Sequence, residues 1–279
     1  MEPSGWPRGR EREPISQPAR DGNRLRHPVG DTVSGTTTPD GRLHDRGARE
    51  VSVSLVDTGT DVNRLRAEMD EQAAALETAP AGLVMAWAVE RFGPKLAVSC
   101  SFQDAVLIDI ALAVEPRIEV IFLDTGSHFP ETLDYVETVR SRYDLNLTVT
   151  NPVAGAEDWP CGSAKCCEFR KVLPLRAALD GKQAWVTGLK RVDAPTRRDA
   201  PIVAFDEGWG MVKINPLATW TDEDIAGYAV DHRLPEHPLV SKGYLSIGCA
   251  PTTRPVQEGE DPRAGRWADS DKVECGLHV

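Results

Sequence analysis

Six cysteines are spread unevenly over the 279 residues of this chain. Cys166 and Cys167 are adjacent in K-C-C-E-F-R-K (Lys165 to Lys171). Cys249 lies in S-I-G-C-A-P-T-T-R-P (Ser246 to Pro255), and Cys275 lies in the terminal K-V-E-C-G-L-H-V. Adjacent cysteines bridge each other only through a strained ring, whereas a metal cluster accepts both, and thiolates of this kind hold zinc or iron–sulfur clusters. Lys165, Arg170 and Lys171 surround the pair, and positive charge lowers a thiol's pKa and stabilises an anionic cluster. The competing reading is two small buried hydrophobes. Cys275, on a terminal segment free to swing, is placed to attack one partner and then present itself to another. His278 and Lys272 nearby would favour the thiolate that exchange chemistry requires; the alternative is an idle thiol on a frayed end. Cys100 reads as a core residue, and Cys161, in W-P-C-G, is ambiguous.

A second set of residues suits anions. The segment Ser99 to Asp104 follows an apolar run and opens a helix, where backbone N–H groups, hydroxyls and the helix's positive end can hold a phosphate. An ordinary β–α turn has the same composition. Lys190, Arg191, Arg197, Arg198, Arg254, Arg263 and Arg266 fall in loops, and the planar arginine fork fits phosphate or sulfate. Each alone is more often a solvated surface charge than a ligand, and their concentration near loop ends and cysteines weakens that reading for the group.

The elements that must position these residues follow from periodicity. Leu65, Met69, Ala73 and Leu76 recur at helical spacing, and a second helix runs from Leu83 to Phe92 before Gly93 and Pro94 end it. Short apolar runs at Leu96–Ser99, Val120–Leu123, Leu147–Thr150 and Ala184–Thr187 read as strands. Helices at Ala105–Val114, Thr132–Tyr143 and Val172–Leu179 alternate with them. This order predicts a doubly wound, mostly parallel α/β sheet, with ligands at the carboxyl ends of the strands. The loops Ser99–Asp104, Asp124–His128 and Gly188–Arg191 fall at those ends. Thr221 caps a further helix with acids in its first turn, and a Gly/Pro-rich stretch follows.

Composition bounds the rest. At 41% hydrophobic residues the chain can bury a proper core. Residues 1–50 carry nine Arg, no Lys, eight acids, six Pro and seven Gly, the signature of a disordered arm. The division expected is therefore an extension over residues 1–60 and one domain over 61–279, including a mobile tail from about 256. The net charge is −11 for the whole chain, and 23 basic against 35 acidic residues give −12 for residues 51–279. Such a surface argues against a nucleic-acid platform. The arm lacks the patterns of an export signal or transit peptide, and no run approaches the ~18 apolar residues of a membrane span. The thiols are then expected to be reduced, in a cytoplasmic setting, and to serve metal binding or catalysis.

Taken together, C-C-x-x-R-K from Cys166, T-G-L-K-R-V-D-A-P-T-R (Thr187 to Arg197), S-I-G-C-A-P from Ser246, G-R-W (Gly265 to Trp267) and E-C-G-L-H (Glu274 to His278) resemble the bacterial assimilatory adenylyl-sulfate (APS) reductases. The resemblance spans about residues 62–279. It implies an adenine nucleotide α-hydrolase-like fold, with Cys275 as the nucleophile that takes the sulfonate from adenylyl sulfate, releases AMP and is cleared by thioredoxin to yield sulfite. It also implies substrate contacts at Ser99, Ser101, Asp104, Leu123, Asp124, Thr125, Gly126, Lys171, Arg197, Arg263, Arg266 and His278. Relatives that use APS carry a 4Fe-4S cluster on a C-C pair plus a C-x-x-C pair, whereas relatives that use the 3′-phosphorylated nucleotide PAPS lack it. Cys166, Cys167 and Cys249 match, but the fourth family position is Thr252, which has no thiolate.

Three outcomes follow from that departure: a cluster on three protein thiolates with an exogenous ligand, a cluster completed by Cys161, or a cluster-poor enzyme of low activity. Retention of a cluster is expected, since three ligands and Lys171 keep the APS pattern. The alternatives are a PAPS reductase, an ATP pyrophosphatase relative (the Ser99–Asp104 loop lacks that class's glycines), or a non-catalytic zinc or redox-sensing module, which leaves E-C-G-L-H unexplained. Assembly into a homo-oligomer is left open.

Overall fold

A computed structural model describes residues 58–268, 272 and 274–277. The expected extension over residues 1–60 lies outside this range except for the first three residues of a helix, and His278 lies outside it as well.

Six strands form one sheet: β1 (Leu96–Cys100), β2 (Val120–Leu123), β3 (Leu147–Thr150), β4 (Ala184–Thr187), β5 (Val203–Asp206) and β6 (Met211–Ile214), in the order β3-β2-β1-β4-β6-β5. All neighbours are parallel except β5 and β6. The expected doubly wound, mostly parallel sheet is thus present, with β1 at the crossover between its two halves. The hairpin β5–β6 was not expected. Its runs V-A-F-D and M-V-K-I carry charges that break the apolar pattern, and the signal for it was the turn residue Gly210 at φ +68°, whose N–H donates to Asp206 O at 2.7 Å.

The central strands are buried on both faces, and their alternation shows it. Leu96, Val98, Val120, Phe122, Ala184 and Val186 point into one apolar cluster, while Ala97, Ile121, Leu123 and Trp185 point into the other. Helices α2 (Ala81–Phe92) and α3 (Val106–Val114) pack together and contribute to the first cluster. Each Val, Ile or Leu so buried is worth about 1.5–3 kcal/mol. α1 (Thr58–Leu76) lies against β5, with Met69 fully buried. α4 (Pro130–Tyr143) starts two residues before its expected bound because Pro130 takes the first helical position, where its missing N–H costs nothing.

The helix expected from Val172 extends backwards through the cysteine pair. α5 (Ala164–Cys167) is capped by Ser163, whose Oγ accepts the Cys166 N–H at 3.1 Å. A π turn over Glu168–Val172 then joins it to α6 (Leu173–Ala178). Such turns insert a residue into the helical register and recur at functional sites; this one carries Arg170 and Lys171. Finally α7 (Asp222–Asp231) has the full capping box between Thr221 and Asp224. No helix among the described residues is long and apolar enough to cross a membrane.

Candidate active site

A cleft with about 250 Å³ of space opens over the carboxyl ends of β1, β2 and β4. Ten of the residues expected at the substrate or the reacting thiol line it: Ser99, Ser101, Asp104, Leu123, Thr125, Lys171, Arg197, Arg263, Arg266 and Cys275. Asp124 and Gly126 do not. The Asp124 carboxylate accepts the Gly126 N–H at 2.9 Å, and Gly126 has φ +63°, so these two residues shape the turn that presents Thr125. Three of the loop arginines are also elsewhere. Arg191 forks onto Glu77 at 2.5 and 2.9 Å, Arg254 pairs with Glu260, and Arg198 is exposed. Cys100, expected in the core, is half-buried on the cleft, with its thiol pushed up to about 12 by burial.

The loop after β1 is shaped by Phe102, fully buried at φ +56° with its ring edge-on to Phe122 at 5.2 Å. Asp104 Oδ1 accepts the Val106 N–H at 3.0 Å, fixing the turn that leads into α3, and burial raises its pKa. Gln103, which carried no sequence signal, ties this loop to the segment before Cys249, since its Oε1 accepts the Ile247 N–H at 2.9 Å.

Cations gather at the other end. Lys171, from the π turn, has its pKa lowered by burial but raised more by the facing thiols of Cys275 and Cys249, so it stays charged. Arg266 crosses beneath Gly248, its guanidinium donating to Ile247 O at 3.2 Å and Ser246 Oγ at 3.4 Å. A Cβ on Gly248 would sit 2.4 Å from Arg266 Cζ, so only glycine leaves room for that crossing. Burial and the neighbouring Arg263 lower the pKa of Arg266. Among the described residues, Arg266 Nε and His128 Nδ1 are buried without a protein hydrogen-bond partner. Buried polar atoms of this kind need partners, and both residues line the cleft.

Cys275 reaches the same space on a docked tail. Glu274, 8% exposed, accepts a bidentate pair from Arg197 at 2.5 and 2.7 Å, and Thr196 Oγ1 donates to it at 3.3 Å. Arg197 also donates to Asp193 at 2.9 Å. Burial opposes the charge on both members of this pair, yet their mutual bonding holds Glu274 below the usual carboxylate range and Arg197 above its ordinary value. Two residues after the thiol, Leu277 packs against the second apolar cluster, as Val172 and Met211 do, and Lys213 Nζ donates to Leu277 O at 3.5 Å. Arg197, expected to bind substrate, lines the cleft and also holds the tail. Glu274 was legible only as part of the E-C-G-L-H motif.

The remaining cysteines come together beside the cleft. Cys161, Cys166, Cys167 and Cys249 line one small pocket with Thr252, Lys171 and Arg266. Cys249 and Cys161 are neighbours that hold one thiolate between them, which lowers the pKa of the first and raises that of the second, and Thr125 Oγ1 lies 3.6 Å from Cys249 Sγ. Lys272 Nζ donates to Cys167 Sγ at 3.0 Å. Among the described residues no three His, Cys, Asp or Glu side chains are arranged around a single ion. A cube-shaped cluster spreads its ligands more widely than one ion does, and soft thiols flanked by cations suit an anionic cluster.

The sheet order, crossover cleft and layered helices define an adenine nucleotide α-hydrolase-like fold. The crystal structure of a phosphoadenylyl-sulfate reductase from Candida auris superposes with a TM-score of 0.59 at 26% identity, over 67% of this chain and 96% of that one. A Candida glabrata FMN adenylyltransferase shares the fold at a TM-score of 0.50 and 16% identity, over 65% of this chain and 67% of that one. The family model "Phosphoadenosine phosphosulfate reductase domain" matches residues 94–255. The adenosine 5'-phosphosulfate reductase of Mycobacteroides abscessus is 46% identical over 231 residues, 80% of this chain and 98% of its own. That of Mycolicibacterium smegmatis is 44% identical over 233 residues, with the same coverage. This chain belongs to the adenosine 5'-phosphosulfate reductases of that family, and is an oxidoreductase acting on a sulfur group.

Proposed function

We propose that the chain reduces adenylyl sulfate to sulfite and AMP, with Cys275 as nucleophile and thioredoxin as the reductant. The observation that carries this reading is the position of Cys275 in one cleft with Lys171, Arg263 and Arg266. The Cys275 thiolate attacks the sulfur of adenylyl sulfate. The bond from sulfur to the bridging oxygen breaks, its electron pair leaves with AMP, and an S-sulfocysteine remains. A thiolate of thioredoxin then attacks Cys275 Sγ, and sulfite departs with the pair of the S–S bond. The second thioredoxin thiol resolves the mixed disulfide and returns Cys275 as a thiol. The sulfur gains two electrons, and the thioredoxin dithiol becomes a disulfide.

The chain's cations lower the barrier to the first step. Lys171 and Arg266, half-buried in the cleft, are assigned to the charge that develops on the sulfonate and leaving phosphate, where a preformed, partly desolvated cation is worth more than in water. The hydroxyls of Ser99 and Ser101, with the turn that presents Thr125, suit the nucleotide. A 4Fe-4S cluster on Cys166, Cys167 and Cys249 would add a polarisable charge next to Lys171.

The test is sulfite release with thioredoxin, comparing adenylyl sulfate with its 3′-phosphorylated form and Cys275→Ser with the parent protein. Loss of sulfite in the variant and a preference for the unphosphorylated nucleotide are expected. Sulfite production by the variant would refute the nucleophile, and a strong preference for the 3′-phosphorylated substrate would refute the substrate assignment.

A further inference from the structure

Thr252 stands where the family's fourth cluster thiolate is expected, and its surroundings are unlike those of a simple gap. Its hydroxyl donates to Cys249 O at 3.4 Å, and it lines one small pocket with Cys161, Cys166, Cys167 and Cys249. Its methyl group sits 3.1 Å from the position a Cβ on Gly162 would take. The backbone before the pair is bent to bring this about. Ser163 N donates to Pro160 O at 3.1 Å, closing a turn over Cys161 and Gly162, with Gly162 at φ +94°. Lys272 fastens the turn to the pair, donating to Gly162 O at 2.8 Å and to Cys167 Sγ at 3.0 Å.

We infer that Cys161 is the fourth thiolate ligand of the iron–sulfur cluster, reaching from the turn at Pro160–Ser163 into the place that a cysteine at position 252 would fill. This rests on the proposed cluster. The four sulfurs come from two segments, Cys161 with the 166–167 pair and Cys249 alone, so the pattern is C-x4-CC plus one distant cysteine rather than two pairs. Thr252 and Gly162 fit each other in this arrangement: the threonine is small enough to pass the turn, and a residue other than glycine at 162 would meet its methyl group in a strained backbone conformation.

The experiment is an iron and acid-labile sulfide count, with the visible absorption and reduced-state electron paramagnetic resonance spectra, on full-length protein purified and reconstituted without oxygen. The parent protein, Cys161→Ser, Thr252→Cys and the double variant are compared. The parent is expected to hold about four irons, and Cys161→Ser to lose at least about one with an altered resonance. The double variant, with a cysteine returned to position 252, is expected to regain the full count, which also shows that the single variant's loss is not misfolding. Full iron and an unchanged spectrum in Cys161→Ser would overturn the inference while leaving the cluster intact. An iron-free parent beside an iron-loaded Thr252→Cys would overturn it too, as would an iron-free parent with two fewer titratable thiols, which marks a Cys161–Cys249 disulfide. Iron absent from all four proteins would refute the cluster itself.

Discussion

Replacing Gly248 by alanine tests the cation end of the cleft with one added methyl group. Gly248 has no positive φ, so alanine introduces no backbone strain there. The whole effect is steric: the new Cβ would lie 2.4 Å from Arg266 Cζ and Nη2 and 2.7 Å from Nε. Ordinary contact needs about 3.5 Å or more, so the guanidinium must retreat by about 1 Å. The atoms struck are the end of a flexible side chain, and the fold is retained. Arg266 then gives up its bonds to Ile247 O and Ser246 Oγ, and with them the position in which the proposed mechanism uses it against the sulfonate. A misplacement of about 1 Å in such a group costs on the order of 100-fold in rate, or about 2.7 kcal/mol. Sulfite release should show kcat/KM lower by that factor, with a melting temperature within a few degrees of the parent. Arg266→Ala should be impaired at least as much, and the double variant no more than Arg266→Ala alone, because the methyl group then has nothing to displace. Near-parental activity in Gly248→Ala, or additive losses in the double variant, would refute the reasoning.

Glu274→Gln leaves Arg197 buried against one carboxylate fewer; breaking such a pair costs about 3–5 kcal/mol. This loss should appear as faster hydrogen exchange near Arg197 and a higher KM, with global unfolding changed less. Acid should act the same way. The folded pKa of Glu274 is depressed, so its contribution is present above the unfolded carboxylate pKa and is lost as pH falls through the folded value; an alanine variant should lack that acid limb. His237, 2% exposed and bonded to Thr132 Oγ1 at 3.1 Å, is held down to about 4 by burial. Stability should therefore fall between about pH 6.5 and 4, by up to about 3 kcal/mol, and His237→Asn should flatten that fall in denaturant titrations. Arg191→Ala should cost at most about 1 kcal/mol of stability and leave kcat unchanged, since the arginine serves Glu77 rather than the cleft.

The strands β1, β2 and β4 were legible because they are apolar runs buried on both faces, a pattern that a parallel sheet covered by helices imposes, and β3, half-buried at the sheet edge, was legible from its alternation of apolar residues with threonine. β5 and β6 were not, because Lys213 and Asp206 interrupt them and pair with each other at 3.7 Å on an edge hairpin. The site residues divide in the same way. Lys171 and Arg266 were readable from motifs, but the reason Arg266 can lie where it does is Gly248, and a collision avoided between residues 248 and 266 leaves no periodic trace. Asp124 and Gly126 were expected at the substrate from the family resemblance, and the structure shows what the motif alone did not, that they make the turn that presents Thr125.

Arg197 shows how one cation can serve two states. With the tail docked it is saturated by Glu274 and Asp193, and at 7% exposure it has little other solvent to turn to. In the proposed mechanism the thiol next to Glu274 leaves the cleft to meet the thioredoxin dithiol, and departure would strip Arg197 of its bidentate partner. An uncompensated buried guanidinium is costly, so the tail opens readily only when another anion can take the place of Glu274. In the proposed mechanism, AMP left in the cleft after the first step carries such a group. Added AMP should therefore raise the rate at which a thiol-specific alkylating reagent modifies Cys275, and Arg197→Ala should abolish that response. Protection of Cys275 by AMP in the parent protein would refute the coupling.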